Sequence, residues 1–513
     1  MAQAVNTGRG RRAALPWPWA GAAVLCLLGL FWSGPAPAEP AAPVSAATQA
    51  CLDCHNDATP AIVADWRRGR MSRTSLAQAL KQPPLKRRVS LQQAPAALRD
   101  VAVGCAECHT LDPKSHADTF NHGDQQVHVV VTPKDCATCH PTEESEYGRN
   151  LMSQAHGNLV NNSLYMDLAR QINGRPLVQG TGIKLQPPGA LTNAESCLYC
   201  HGTKVEVQGL QTRDTGDWGE MPFPRLTGWP NHGVGRINPD NSKGSCTPCH
   251  SRHQFSLALA RSPYTCSECH KGPDVPVYRV YQVSKHGNLY FALHKQWQME
   301  AVPWTPGKDF SAPTCATCHV SLLTDAGGKV IAQRSHQMAD RIWVRLLGLT
   351  YSHPHPKSSD TSIIRNADGR PLATTLDGQP ASKFLIDAQE QTQRQARMQG
   401  VCRACHSQQW VDGQMARLAQ SIQDADAQVL AATQLMQQAW REGLAEGTAQ
   451  KQSPFDQYIE RLWTQQWLFW ANSMRFASAM MGADMGVFEQ GRWEAAKNLR
   501  QMQDWLETHR KKK

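Results

Sequence analysis

The chain has 513 residues, 53 Lys and Arg against 43 Asp and Glu for a formal charge of +10, and 17 Cys beside 20 His. Such a length buries a large core without covalent staples, and 17 Cys in 513 residues are too few for a disulfide scaffold. An apolar share of 41% excludes both a disordered chain and a polytopic membrane protein.

The first element in chain order reads as an export signal. Arg9, Arg11 and Arg12 precede an apolar run ending at Trp32, and Ala36-Pro37-Ala38 has the small-x-small pattern of a cleavage site, which places the signal at residues 1–38. Residues 13–32 carry no charge, so an uncleaved N-terminal anchor is the alternative, although Pro16 and Pro18 would break its first turns. Cys26 falls inside this segment, which leaves sixteen Cys of the 17 beyond it.

All sixteen repeat one pattern, C-x-x-C-H: Cys51, Cys54 and His55; Cys105, Cys108 and His109; Cys136, Cys139 and His140; Cys197, Cys200 and His201; Cys246, Cys249 and His250; Cys266, Cys269 and His270; Cys315, Cys318 and His319; Cys402, Cys405 and His406. This is the attachment signature of c-type haem, in which two thioethers tether the porphyrin and the next His gives iron its proximal nitrogen. Zinc sites would need facing C-x-x-C pairs and no His after each second Cys. The expectation is eight covalent haems (iron), attached outside the cytoplasm and so in a periplasmic, exported protein. Porphyrin then fills much of the interior, with short helices and loops around it and little strand. The basic charge is expected to accommodate the haems themselves.

Twelve His lie outside the motifs. As distal iron ligands we expect His122, His128, His156, His253, His286, His294 and His336. His253 follows His250 by three residues, read as one face of a short helix, so it should serve a neighbouring haem. His509 sits in a charged tail and reads as solvated. An electron wire needs every iron closed by two protein ligands, whereas an enzyme leaves one axial position free.

The segments between motifs resemble the hydroxylamine oxidoreductase family of octahaem cytochromes c over residues 50–500. The resemblance rests on eight motifs in order, on Val131-Thr132-Pro133-Lys134-Asp135, Gly235-Arg236-Ile237-Asn238-Pro239-Asp240, Gly272-Pro273-Asp274, Ser284-Lys285-His286-Gly287 and Ala312-Pro313-Thr314, and on a helical tail. It implies a mainly α homotrimer with seven bis-His haems and one open haem on the fourth motif. Catalysis then falls to the haem on Cys197, Cys200 and His201, with Asp274 beside it. Two departures stand out. The family's Gly-Pro-Asp-His stretch has Val275 in place of the His, and its late cross-linking Tyr is matched by Met485. Without that Tyr, the resemblance implies reduction of nitrite or hydroxylamine to ammonia. The alternatives are hydroxylamine oxidation and a non-catalytic electron carrier. His232 is a candidate to replace the missing imidazole. The partners expected are a small inorganic nitrogen substrate and a quinol-linked or soluble cytochrome c redox partner, with no nucleic acid.

After the last motif, Met415, Leu418, Ile422, Ala425, Val429, Ala432, Met436 and Ala439 recur at spacings of three and four, an amphipathic helix that packs on the core or on another subunit. Trp463, Trp467 and Trp470 continue a second apolar helix, expected to line haem edges. Residues 174–196 and 353–380 read as loops. The chain thus divides into a signal at 1–38, an octahaem domain at 39–406 and a C-terminal helical region at 407–513.

Overall fold

Short helices form where the haem motifs put a capping residue before the first Cys. In the computed structural model, which describes residues 40–512, Thr314 and Thr317 cap the helix Cys315–His319 reciprocally. Thr132 and Asp135 do the same for Pro133–Ala137. The helix Cys197–His201 ends at Gly202, where φ is +92° and a Cβ would lie 2.2 Å from the backbone nitrogen of Arg236, so only glycine fits. The chain is about 47% helix and 11% strand, the mainly α architecture expected. Among the described residues the strands pair only two by two, all antiparallel.

Two local expectations are corrected. Residues 174–196 are not one loop: strands Arg175–Gln179 and Gly182–Gln186 form a hairpin, followed by the helix Ala190–Glu195. A second hairpin, Glu206–Asp214 with Glu220–Thr227, lies beyond motif four. His250 and His253 do not share a helix. The chain there is turns, and His253 itself takes a positive φ of 63°. The region 353–380 is mostly loop apart from the two-residue strand His353–Pro354.

The two stretches that carried part of the resemblance clasp each other. Thr132 Oγ1 donates to Asp240 at 3.0 Å, Lys134 Nζ donates to the Asp240 carbonyl at 3.1 Å, and Arg236 Nε donates to Asn238 at 2.7 Å. The clasp joins the segment before motif three to the segment before motif five.

The largest apolar core lies in the C-terminal helices. The stripe predicted after motif eight falls on the helix Gln408–Arg441, where Ala425, Val429, Ala432, Met436 and Ala439 are buried against Ile459, Trp463, Trp467 and Met474. Trp463 therefore packs in this core, and Trp467 reaches the cavity described below. Glu460 is fully buried here, accepts the indole N–H of Trp440 at 2.8 Å, and has its carboxyl pushed up by burial to about 7. A carboxyl raised on folding stabilises below its unfolded range, and that contribution is lost as pH rises toward 7. Glu460→Gln should flatten the fall in thermal midpoint between pH 5 and 8, as followed by far-UV circular dichroism; an unchanged slope would remove Glu460 from this role.

The signal and anchor expectations lie outside the described residues. Among those described, no helix is long and apolar enough to cross a membrane.

Candidate redox site

All eight motif His line one continuous cavity of about 2390 Å³. No described Cys is in a disulfide, and no set of three or more thiols converges as a zinc site would require. The motifs follow one another in space in a fixed order. Cys51 faces Cys105, Cys136 faces Cys246, Cys200 faces Cys269 and Cys266 faces Cys315, each pair within hydrogen-bonding reach. Cys108 lies close to Cys136, Cys249 to Cys266, and Cys318 to Cys402. The path runs through motifs one, two, three, five, six, seven and eight, with motif four joined at motif six. Cys54 and Cys405, at the two ends of that path, are the exposed motif thiols among those described.

The motif imidazoles are oriented for metal binding. Nδ1 of His109 donates to the carbonyl of His128 at 2.8 Å, and Nδ1 of His201 to Ala155 at 3.0 Å. Nδ1 of His319 reaches the carbonyl of Met338 at 3.3 Å, and that of His55 bonds Thr59 Oγ1 at 2.9 Å. Each leaves Nε2 free, the arrangement in which a second hydrogen bond fixes the ring of a ligand His. Burial pushes His250 and His336 down to about 4, so both are neutral imidazoles at pH 7.

Two imidazoles on opposite sides of one iron have ring centres roughly 6 Å apart, from two metal–nitrogen bonds of about 2 Å plus the half-width of each ring. His55 and His122 stand at 6.0 Å, His250 and His336 at 6.3 Å, and His406 and His286 at 6.2 Å. His109 and His128 are also 6.0 Å apart, but His128 orients His109 through its own carbonyl and stacks on His116 at 3.6 Å. Both ring nitrogens of His128 are buried without a hydrogen-bond partner. Burial alone would lower His116, yet the neighbouring carboxylates of Asp118 and Asp135, the latter hydrogen-bonded to Nε2 at 3.1 Å, raise it to about 9.

His253 lines the cavity near His109. His156 donates Nδ1 to the Gly202 carbonyl at 2.6 Å, beside motif four. His294 donates to Tyr290 and stacks on its ring at 4.7 Å, off the cavity wall. His232 is exposed and also off the wall, so it does not take the place of the imidazole missing at Val275. The sequence reading passed over His355, which lines the cavity, donates Nδ1 to the Pro356 carbonyl at 2.9 Å, and is lowered by burial to about 4. Its signal was the doubled run His353-Pro354-His355-Pro356.

The wall is apolar but carries guanidinium groups. Burial pushes Arg261 down to about 10 and lowers Arg252, and each keeps a buried nitrogen without a partner. An unpaired cation in an apolar cavity is costly, and haem carboxylates would relieve it. The residues present therefore fit c-type haem.

Comparisons with known proteins agree. Residues 237–337 match the family described as seven times multi-haem cytochrome CxxCH. A solved structure titled hypothetical multiheme protein superposes with a TM-score of 0.85 at 38% identity, covering 91% of this chain and 96% of that one. A probable nitrite reductase-hydroxylamine oxidoreductase fusion protein of Kuenenia stuttgartiensis is 25% identical over 283 residues, which is 53% of this chain and 25% of the fusion. The chain belongs to the multihaem c-type cytochromes. It spans about a quarter of the length of that curated relative. A Kuenenia stuttgartiensis reducing HAO-like protein complex shares the fold, with a TM-score of 0.58 at 18% identity, covering 91% of this chain and 85% of that one.

As a multihaem cytochrome of this family the chain binds covalent c-type haem, and its motif-four neighbourhood has a character of its own. Asp274 and Arg345 both line the cavity, and both charges act on His201, where burial is the larger influence. The Asp274 carboxylate is exposed and forms no hydrogen bond or salt bridge among the described residues. Val275 lines the wall beside it. Met485, at the position matched to the family's Tyr, is buried within its own chain against Val280 and Ala477.

Proposed function

We propose that this chain is an exported, periplasmic octahaem cytochrome c that reduces nitrite or hydroxylamine to ammonia at the motif-four haem. Seven bis-His haems would relay electrons to it, and a homotrimer would receive them from a quinol-linked or soluble cytochrome donor. Cys197, Cys200 and His201 would hold the reactive haem, which when bound supplies redox chemistry at an open iron. The observation that carries this reading is the pair of opposite charges at motif four, Asp274 and Arg345, neither engaged in a salt bridge among the described residues. A carboxylate can move protons and a guanidinium can hold an anion, which are the two needs of nitrite reduction. Met485 in place of a cross-linking Tyr favours the reductive direction over hydroxylamine oxidation.

Electron paramagnetic resonance of the resting ferric protein tests this. A high-spin signal altered by nitrite is expected, together with nitrite consumption driven by reduced viologen. Eight low-spin haems indifferent to nitrite would leave only an electron carrier.

A further inference from the structure

Arg345 sits on a two-residue strand, Val344–Arg345, paired with His353–Pro354. The next carbonyl, that of Leu346, accepts Nη1 of Arg475 at 3.0 Å. The same Nη1 donates to Asn472 Oδ1 at 3.1 Å, and Asn472 Nδ2 donates to the Asp274 carbonyl at 3.0 Å. Arg475 and Asn472 are fully buried on the helix Ala471–Met480. One anchor therefore holds both the strand of Arg345 and the loop of Asp274.

The Arg345 guanidinium differs from the other cations of the wall. Arg334 pairs with Glu143 at 2.8 Å, Arg341 donates to the Cys318 carbonyl, and Arg261 donates to the carbonyls of Met299 and Ala301. Arg252 lies over the ring of Trp229. Arg345 makes no side-chain hydrogen bond or salt bridge among the described residues, and its charge is felt by His201, His353 and His355. A planar fork of donors without an internal acceptor suits a small two-oxygen anion.

We propose that Arg345 recognises the anionic ligand of the motif-four pocket, its strand held to the Asp274 loop by Arg475 and Asn472. This rests on the reading of motif four as the open haem. It adds that the site selects nitrite through charge, whereas neutral ligands bind without Arg345.

Arg345→Gln and Arg345→Lys test it, with nitrite titrated into the ferric holoprotein and carbon monoxide into the reduced one, both followed optically. Arg345→Gln should weaken nitrite about ten- to a hundredfold and leave carbon monoxide within about twofold, the loss of one charge-assisted contact. Arg345→Lys should recover part of the nitrite affinity, and it carries the test if the Gln variant fails to assemble. Unchanged nitrite affinity in either variant, with the wild type responding to both ligands, overturns the role of Arg345 and leaves motif four intact. Equal losses for nitrite and carbon monoxide with an altered resting spectrum assign Arg345 to a haem carboxylate and also overturn it. A wild type that responds to neither ligand overturns the open-haem reading and this proposal with it.

Discussion

Asp274→Asn is expected to lower nitrite turnover with reduced viologen by about two to four orders of magnitude, the usual weight of a positioned proton donor. Nitrite affinity should stay within a few-fold, because the variant keeps Arg345 and the loop. Reduction of nitrite to ammonia consumes protons at every stage, so some group at the pocket must supply them. With Val275 where the family has a His, the acidic groups of the wall whose charges reach motif four are Asp274 and Glu268. Glu268 already accepts the phenol of Tyr199 at 3.1 Å. Asp274 is unengaged and near both His201 and His270, which joins it to motif four and to motif six at once. The Asn side chain conserves shape and removes the carboxyl group that could carry a proton. Turnover unchanged at pH 7, in steady-state assays of the holoprotein, would show that protons arrive by another route.

The parts of this molecule that are chemically repetitive were legible in the sequence. Each C-x-x-C-H announces its own attachment, and the stripe from Leu418 to Ala439 announces its helix because it buries one face. Which imidazoles stand opposite one another was hidden, since proximity in space obeys no local rule: His286 precedes motif seven, yet its ring stands 6.2 Å from His406 of motif eight. The hairpin Arg175–Gln179 with Gly182–Gln186 was hidden for a different reason. Val178 is 80% and Ile183 71% exposed, so no buried face imposed a pattern, and the Gly180 turn at φ +60° was the one mark of it. Arg345 carried no motif at all. Its importance comes from Asn472 and Arg475, more than a hundred residues later, in a tail that reads from sequence as mere packing.

Asp426→Ala should cost about 3–5 kcal/mol of stability in denaturant unfolding followed by far-UV circular dichroism, the penalty of leaving a buried charge without its partner. The Arg475 side chain is fully buried and pairs with Asp426, which also accepts Ser352 Oγ at 2.5 Å. Burial lowers the affinity of Arg475 for its proton and the Asp426 charge offsets this, so the cation is held by its partner and is not tolerated alone. Against a total of about 5–15 kcal/mol the loss is large. A change below about 1 kcal/mol would mean that water reaches Arg475 and screens it. The pair itself need not be stabilising, since buried ion pairs replaced together by apolar residues are often neutral. Asp426→Leu with Arg475→Met should therefore recover most of the stability. It cannot restore the bond to the Leu346 carbonyl, nor the contact that sets Asn472 against Asp274. A double variant as stable as the wild type but weakened toward nitrite would separate the two roles of this network, and would show that the C-terminal helices hold the pocket in shape as well as covering it.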